Sequence, residues 1–310
     1  SGGAGGGFSA SAACAGSVNT VRNTVAAYIN DSSGVGRGVS SSGGAIKLNA
    51  TDSTHLIAIA GSLGLAVGGG AGGGAAVAIG VSAATNDVAN TISTYASNSS
   101  LSTNTGNIEL NASSTADIQA LAVGGTLAGA GGAIGVAVAA AGAGTGNTIS
   151  NRVLAYANAN SNLSTLGGGS VQLTANDASS IKAIAGAIAL SGAVGASGSG
   201  AVSLGASVAL NTISNQVKAY VDASTVTSTG AVELSATESA TIDGLAIGGT
   251  LAVSGDAVGG GAVAAAGADS RNAITNTVLA YVANSNGSKG VSASGGAIKL
   301  TATDNSRITS

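Results

Sequence analysis

The chain has no proline, methionine or tryptophan, and it has only one cysteine, one histidine and one phenylalanine. A single cysteine excludes an intrachain disulfide. Cys14 sits among small residues in "SASAACAGS" and reads as a small buried side chain. A catalytic thiol would want a histidine, and nothing ties the only one, His55, to Cys14. Charge is also scarce: 7% of residues are Asp, Glu, Lys or Arg, against roughly 25% in an ordinary soluble domain. The net charge of −3 leaves no basic face for nucleic acid. A surface this poor in charge promotes association. The expectation is a piece of an assembly, or a module of a longer polypeptide. The absence of an initiating methionine and of a signal-peptide pattern points the same way.

What is present is repetition. All five tyrosines fall in one pattern, in "NTVRNTVAAY", "NDVANTISTY", "NTISNRVLAY", "NTISNQVKAY" and "NAITNTVLAY". These carry Tyr28, Tyr95, Tyr156, Tyr220 and Tyr281, and the asparagine pairs Asn19/Asn23, Asn86/Asn90, Asn147/Asn151, Asn211/Asn215 and Asn272/Asn276. A second segment of the type "GAIKLNAT" carries Leu48, Leu110, Leu173, Leu234 and Leu300. Eight residues on, a third begins at Leu56, Ile118, Ile181, Ile242 and Ile308, and it runs into an Ala/Gly stretch in the complete copies. From tyrosine to leucine the spacing varies (20, 15, 17, 14, 19), whereas from leucine to the next tyrosine it is 46 or 47. The variable stretch is rich in Ser, Asn, Gly and Thr, the composition of a tolerant surface loop.

The apolar period is two, and the Gly, Val, Ile, Thr and Asn content disfavours helix. Asn19, Val21, Asn23, Val25 and Ala27 share one strand face, and Thr20, Arg22, Thr24 and Ala26 the other. The expected fold is all-β: a β-solenoid with one large flattened coil per 61–67-residue repeat and parallel in-register stacking. Identical residues at one position five times gain most when copies sit about 4.8 Å apart. The repeats are 19–85, 86–146, 147–210, 211–271 and the partial 272–310, with 1–18 ending a preceding coil. Inward asparagines would each donate to the copy above and accept from the copy below. An unpaired buried amide costs about 1–3 kcal/mol. The residues before the leucines run Lys47, Glu109, Gln172, Glu233, Lys299, which places opposite charges on adjacent copies. Each coil would have two long sides of about 20 residues, roughly 65 Å at the strand rise.

"GAVSLGASVALNTISNQVKAYVDASTVTSTGAVELSATESATIDGLAIG" (200–248) resembles the repeats of very large bacterial surface exoproteins of the leukotoxin-type filamentous adhesin family, related in style to filamentous haemagglutinin. The resemblance spans essentially the whole chain. It implies secretion to the cell surface, a β-solenoid stalk or filament, an adhesive or envelope role, and no catalytic motif.

Other chemistry is weaker. No G-x-x-x-x-G-K-[ST] occurs, and "GVGRGVS" (34–40) is a look-alike inside a variable loop. The acids and bases are scattered singly, so an enzyme is not expected, and regular outward threonine columns for ice binding are missing. The fourth residue after each leucine is Asp52, Ser114, Asp177, Glu238 or Asp304, and these carboxylates, stacked at a turn, could form a weak calcium site. Turn-forming Asp is the commoner reason for such residues. No other cofactor is expected. In a regular strand the tyrosines face outward as an exposed stripe, and a corner could instead swing them inward.

The expected partner is the chain itself, as a homopolymer or a longer array. The alternatives are a host surface or glycan bound through the loops or the tyrosine stripe, and a membrane-active segment. "GSLGLAVGGGAGGGAAVAIG" (61–80) is too dense in glycine for a membrane helix. It belongs to the fixed-length section, so it reads as a reversal point where two β layers meet with little between them. Leucine at Ala75 or Gly73 should then disrupt folding.

Overall fold

The computed structural model describes residues 4–34, 38–287 and 289–310; positions 35–37 of the phosphate look-alike lie outside these. Among the described residues there is no helix. The first coil consists of β1 (Gly7–Val21), β2 (Thr24–Asn30), β3 (Val39–Ser41) and β4 (Ile46–Gly70). The following coils repeat this order with their copies stacked parallel and in register. Gly74–Val88 pairs with β1, Thr91–Ser97 with β2, and Ile108–Gly132 with β4. Each repeat is one coil, so Asn19 is followed by Asn86, Asn147, Asn211 and Asn272 in a single column. The tyrosines and the leucines form columns in the same way.

The coil is a flattened loop. One broad side stacks the copies of β1 and then β2; the other stacks the copies of β4. The short copies of β3 close the thick edge. β4 holds 25 residues, about 80 Å at the strand rise, so the sides are longer than the expected 20 residues. The Leu segment and the Ile-Ala segment, separate in the sequence pattern, fuse into one strand in the first two coils. They part at residues 178–179, 239–240 and 305–306 of the third, fourth and fifth.

The interior changes along the coil. At the thick edge Ile46, Leu110, Leu173, Val217 and Leu234 pack with Leu101, Leu163 and Val226 from the short sheet. In the middle lie Ile118, Ile149, Ile181 and Ile213. Towards the thin edge the buried apolar side chains are alanines only, among them Ala58, Ala76, Ala122, Ala137 and Ala185. The glycines pointing inward there are sterically required. A Cβ on Gly64 would lie 2.7 Å from the Ile79 carbonyl oxygen, and one on Gly80 2.5 Å from that of Gly125. The two sheets therefore meet with almost nothing between them. Gly73 turns this edge at φ +152°, where an L residue is strained. Ala75, however, points outward beside Phe8 and Val136 in register. The alternation from buried Asn86 backwards makes Ala76 the inward residue.

The opposite corner, after β2, uses the same conformation in every coil. Asp31, Asn98, Ala159, Ala223 and Asn284, each three residues after a tyrosine, all have φ between 47° and 53°. The region suits Asn and Asp and strains alanine.

Candidate functional surfaces

Two polar columns run through the interior, and they work differently. In the first, Asn19 donates from Nδ2 to Oδ1 of Asn86 (2.8 Å), Asn86 to Asn147 (2.7 Å), Asn147 to Asn211 (2.8 Å) and Asn211 to Asn272 (2.8 Å). This is the expected amide ladder. The second column departs from it. The backbone N–H of Asn23 donates to Oδ1 of Asn90, that of Asn90 to Asn151, that of Asn151 to Asn215 and that of Asn215 to Asn276. The strand breaks at this point in each coil, between β1 and β2 and their copies, and turns one backbone donor out of the sheet ladder. A buried N–H must find a partner, and the asparagine supplies it. Its Nδ2 is then free to cross the core.

There it meets the carboxylates considered above as calcium ligands. They form one column, with Asp52, Ser114, Asp177, Glu238 and Asp304 in register. They lie within or at the end of strands rather than at a turn. Asp52, Asp177 and Glu238 are buried inside the coil. Asn90 donates to Asp52 at 2.8 Å, and Asn215 donates to Asp177 at 2.8 Å and to Glu238 at 3.4 Å. Thr54 and Ser179 add further donors. These bonds engage both oxygens of Asp52 and Asp177 but only Oε1 of Glu238, whose Oε2 is buried without a hydrogen-bond partner. No group of three or more His, Cys, Asp or Glu able to hold a metal is found among the described residues. Burial, and then the Asp177 charge, pushes Glu238 up to about 9. Burial also raises Asp177. Glu238 therefore holds its proton at neutral pH.

A third column lies at the corner and was missed from sequence. The N–H of Ser32 donates to Ser99 Oγ, that of Ser99 to Ser161, and that of Ser161 to Ser224. The available signal was a serine four or five residues after each tyrosine, diluted by the many other serines nearby.

The tyrosines face outward. Neighbouring rings stack at 4.9 to 5.0 Å with interplanar angles of 3° to 7°. The strand stays regular as far as the ring, and the turn comes three residues later. Lys47 and Glu109 form the ion pair that the charge order suggests, at 2.9 Å, whereas Glu233 and Lys299 are in register without forming one. His55 pairs with Asp117 at 2.9 Å on the outside of the β4 sheet. Cys14 is exposed rather than buried. It is five residues from inward Asn19, an odd number, and so lies on the outer face of the β1 sheet, opposite the side that carries His55.

The largest surface feature is apolar. Small inward residues leave the Leu, Ile and Val of the thin half pointing out, including Ile59, Leu63, Leu65, Val67, Ile188 and Leu251. At the last coil the core columns are also open: Leu300 is 43% exposed, whereas Leu110 and Leu173 above it are fully buried.

The fold and these columns define an all-β repeat protein of β-solenoid architecture with interior asparagine ladders. Comparison with protein-family models, with curated proteins and with solved structures returns no match to this chain.

Proposed function

We propose that this chain is a structural segment of an extracellular bacterial filament or giant surface protein. It is non-catalytic and associates through stacked β-strands. The carrying observation is the set of ladders: asparagine, serine and tyrosine columns run in register from coil to coil, and each gains a partner with every coil stacked in the same register. The resemblance to filamentous adhesins supports the surface location.

The test is electron microscopy of the purified chain at rising concentration. Five coils rise only about 24 Å at the strand spacing. End-to-end growth gives particles many times longer, with an axial reflection near 4.8 Å. Particles that stay five coils tall at every concentration would overturn it.

The tyrosine stripe favours a second reading, an adhesin module that binds host surfaces or glycans by stacking. Tyr156→Ala with Tyr220→Ala would then abolish binding to a glycan array while leaving the circular dichroism unchanged. Unchanged binding would refute it.

A further inference from the structure

The outer face of the β4 sheet in the thin half carries a pattern that the chain's own packing does not use. From Ile59 to Leu65 and through the equivalent residues of the next three coils, every outward position is Leu, Ile, Val or Gly. Two neighbouring columns alternate. The first coil has Gly61 then Leu63, the second Val123 then Gly125, the third Gly186 then Ile188, and the fourth Ile247 then Gly249. Large side chains and glycines thus form a checkerboard.

These glycines differ from the inward ones. A Cβ on Gly61, Gly186 or Gly249 would meet nothing within 4 Å, and one on Gly125 would meet the flexible end of Leu63 at 3.2 Å and the Ser62 carbonyl oxygen at an ordinary 3.6 Å. None has a positive φ between +20° and +160°. Neither sterics nor backbone conformation asks for glycine, and glycine weakens a strand. An open glycine inside a strand marks a place where another surface approaches closely.

We infer that this face docks against the same face of a second copy of the chain. A half turn about an axis parallel to the stack, between the two columns, sets each of the four large side chains over a glycine of the second copy. The flanking columns, Ile59 and Leu65 with their copies, meet as aliphatic ridges, and Gln119, Lys182 and Asp243 lie at the rim. Residues 57–68 over four coils cover roughly 40 by 19 Å. That is about 750 Å² per copy, against about 800 Å² per partner in a stable interface. Lipid tails are fluid and would not need holes at a fixed pitch, so the pattern favours a second sheet over a membrane. The inference does not rest on the filament reading, because the docking widens the slab and end stacking lengthens it.

The test is sedimentation equilibrium of the full chain and of the variant G61L/G186L. The wild type should give a species of twice the 28.3 kDa chain mass. Filling the holes should weaken that association at least tenfold with the circular dichroism unchanged, although it adds apolar surface. Val202→Lys on the opposite outer face should leave the association intact. Generic stickiness predicts the reverse: the leucine variant associating as well as or better than wild type would overturn the inference. Flotation of the wild type with phosphatidylcholine vesicles in place of the dimer would overturn it too. Particle width in the microscope reports this interface, and particle length reports the end-to-end one.

Discussion

The amide ladder can be broken at its centre by Asn147→Ala. Asn147 is buried, accepts from Asn86 and donates to Asn211. Removing it leaves the Asn86 Nδ2 without its acceptor and the Asn211 Oδ1 without its donor, and both lie in the interior. Each orphaned buried group costs about 1–3 kcal/mol, so the loss is about 2–6 kcal/mol, a large part of a typical total of 5–15 kcal/mol. Asn272→Ala is the internal control. Asn272 ends the ladder, is only partly buried and accepts from Asn211. Its removal takes the acceptor from Asn211 Nδ2 and a donor from Ser270 Oγ, at the last coil where Asn272 itself is only partly buried, and should cost about 1 kcal/mol. Guanidinium unfolding followed by far-ultraviolet circular dichroism measures both. The expected order is wild type, then Asn272→Ala, then Asn147→Ala, the last well separated. Equal losses in the two variants, or a loss under 0.5 kcal/mol for Asn147→Ala, would refute the ladder as a stabilising device.

The raised Glu238 carboxyl makes stability depend on pH. Glu238 goes from an ordinary 4.5 to about 9 in the fold, so the native state binds more protons between those values. Its contribution is fully present below 4.5 and is lost as pH rises towards 9. Glu238→Gln should raise stability at pH 7 by about 2–3 kcal/mol and flatten the profile. A wild-type denaturation midpoint that rises from pH 5 to 8 would contradict this. In the alanine core, Ala76→Leu should cost about 1–3 kcal/mol or more by overpacking, whereas outward Ala75→Leu should stay within about 0.5 kcal/mol; thermal unfolding compares the two. At the corner, Ala223 has φ +47°. Ala223→Gly should therefore stabilise by about 0.5–1 kcal/mol, and a lowered melting temperature would argue against a strained corner.

Much of this architecture was legible in the sequence because the side-chain period of a strand is two and the spacing between columns is fixed. Counting from Asn86 assigns every residue of its strand to one face, which gives the asparagine column and the parity of Ala76, whereas the direction of the tyrosines, past the strand break at Asn90, stayed open. The same count puts Cys14 outside, yet its small neighbours suggested burial. The contrast between a fixed 46–47-residue section and a variable one located the loops, and the fivefold recurrence of identical residues pointed to one coil per repeat. The opposite charges of Lys47 and Glu109 agree with that register.

Tertiary structure decided what faces what across the coil. The second asparagine column meets Asp52, Asp177 and Glu238 because the chain reverses at the thick edge with β4 in one particular alignment, and loops of varying length hide that alignment from the sequence. The strand break at Asn90 is a backbone event, and only it frees an N–H for the side chain to accept. The direction of the aliphatic residues in the thin half is the clearest case. The glycine density of residues 61–80 pointed to two layers with little between them, without saying where the interspersed Leu, Ile and Val would point. The structure places the small ones inside, because two sheets sharing a narrow edge leave room for a methyl group and no more, so the large side chains are forced out onto the faces that a partner can cover.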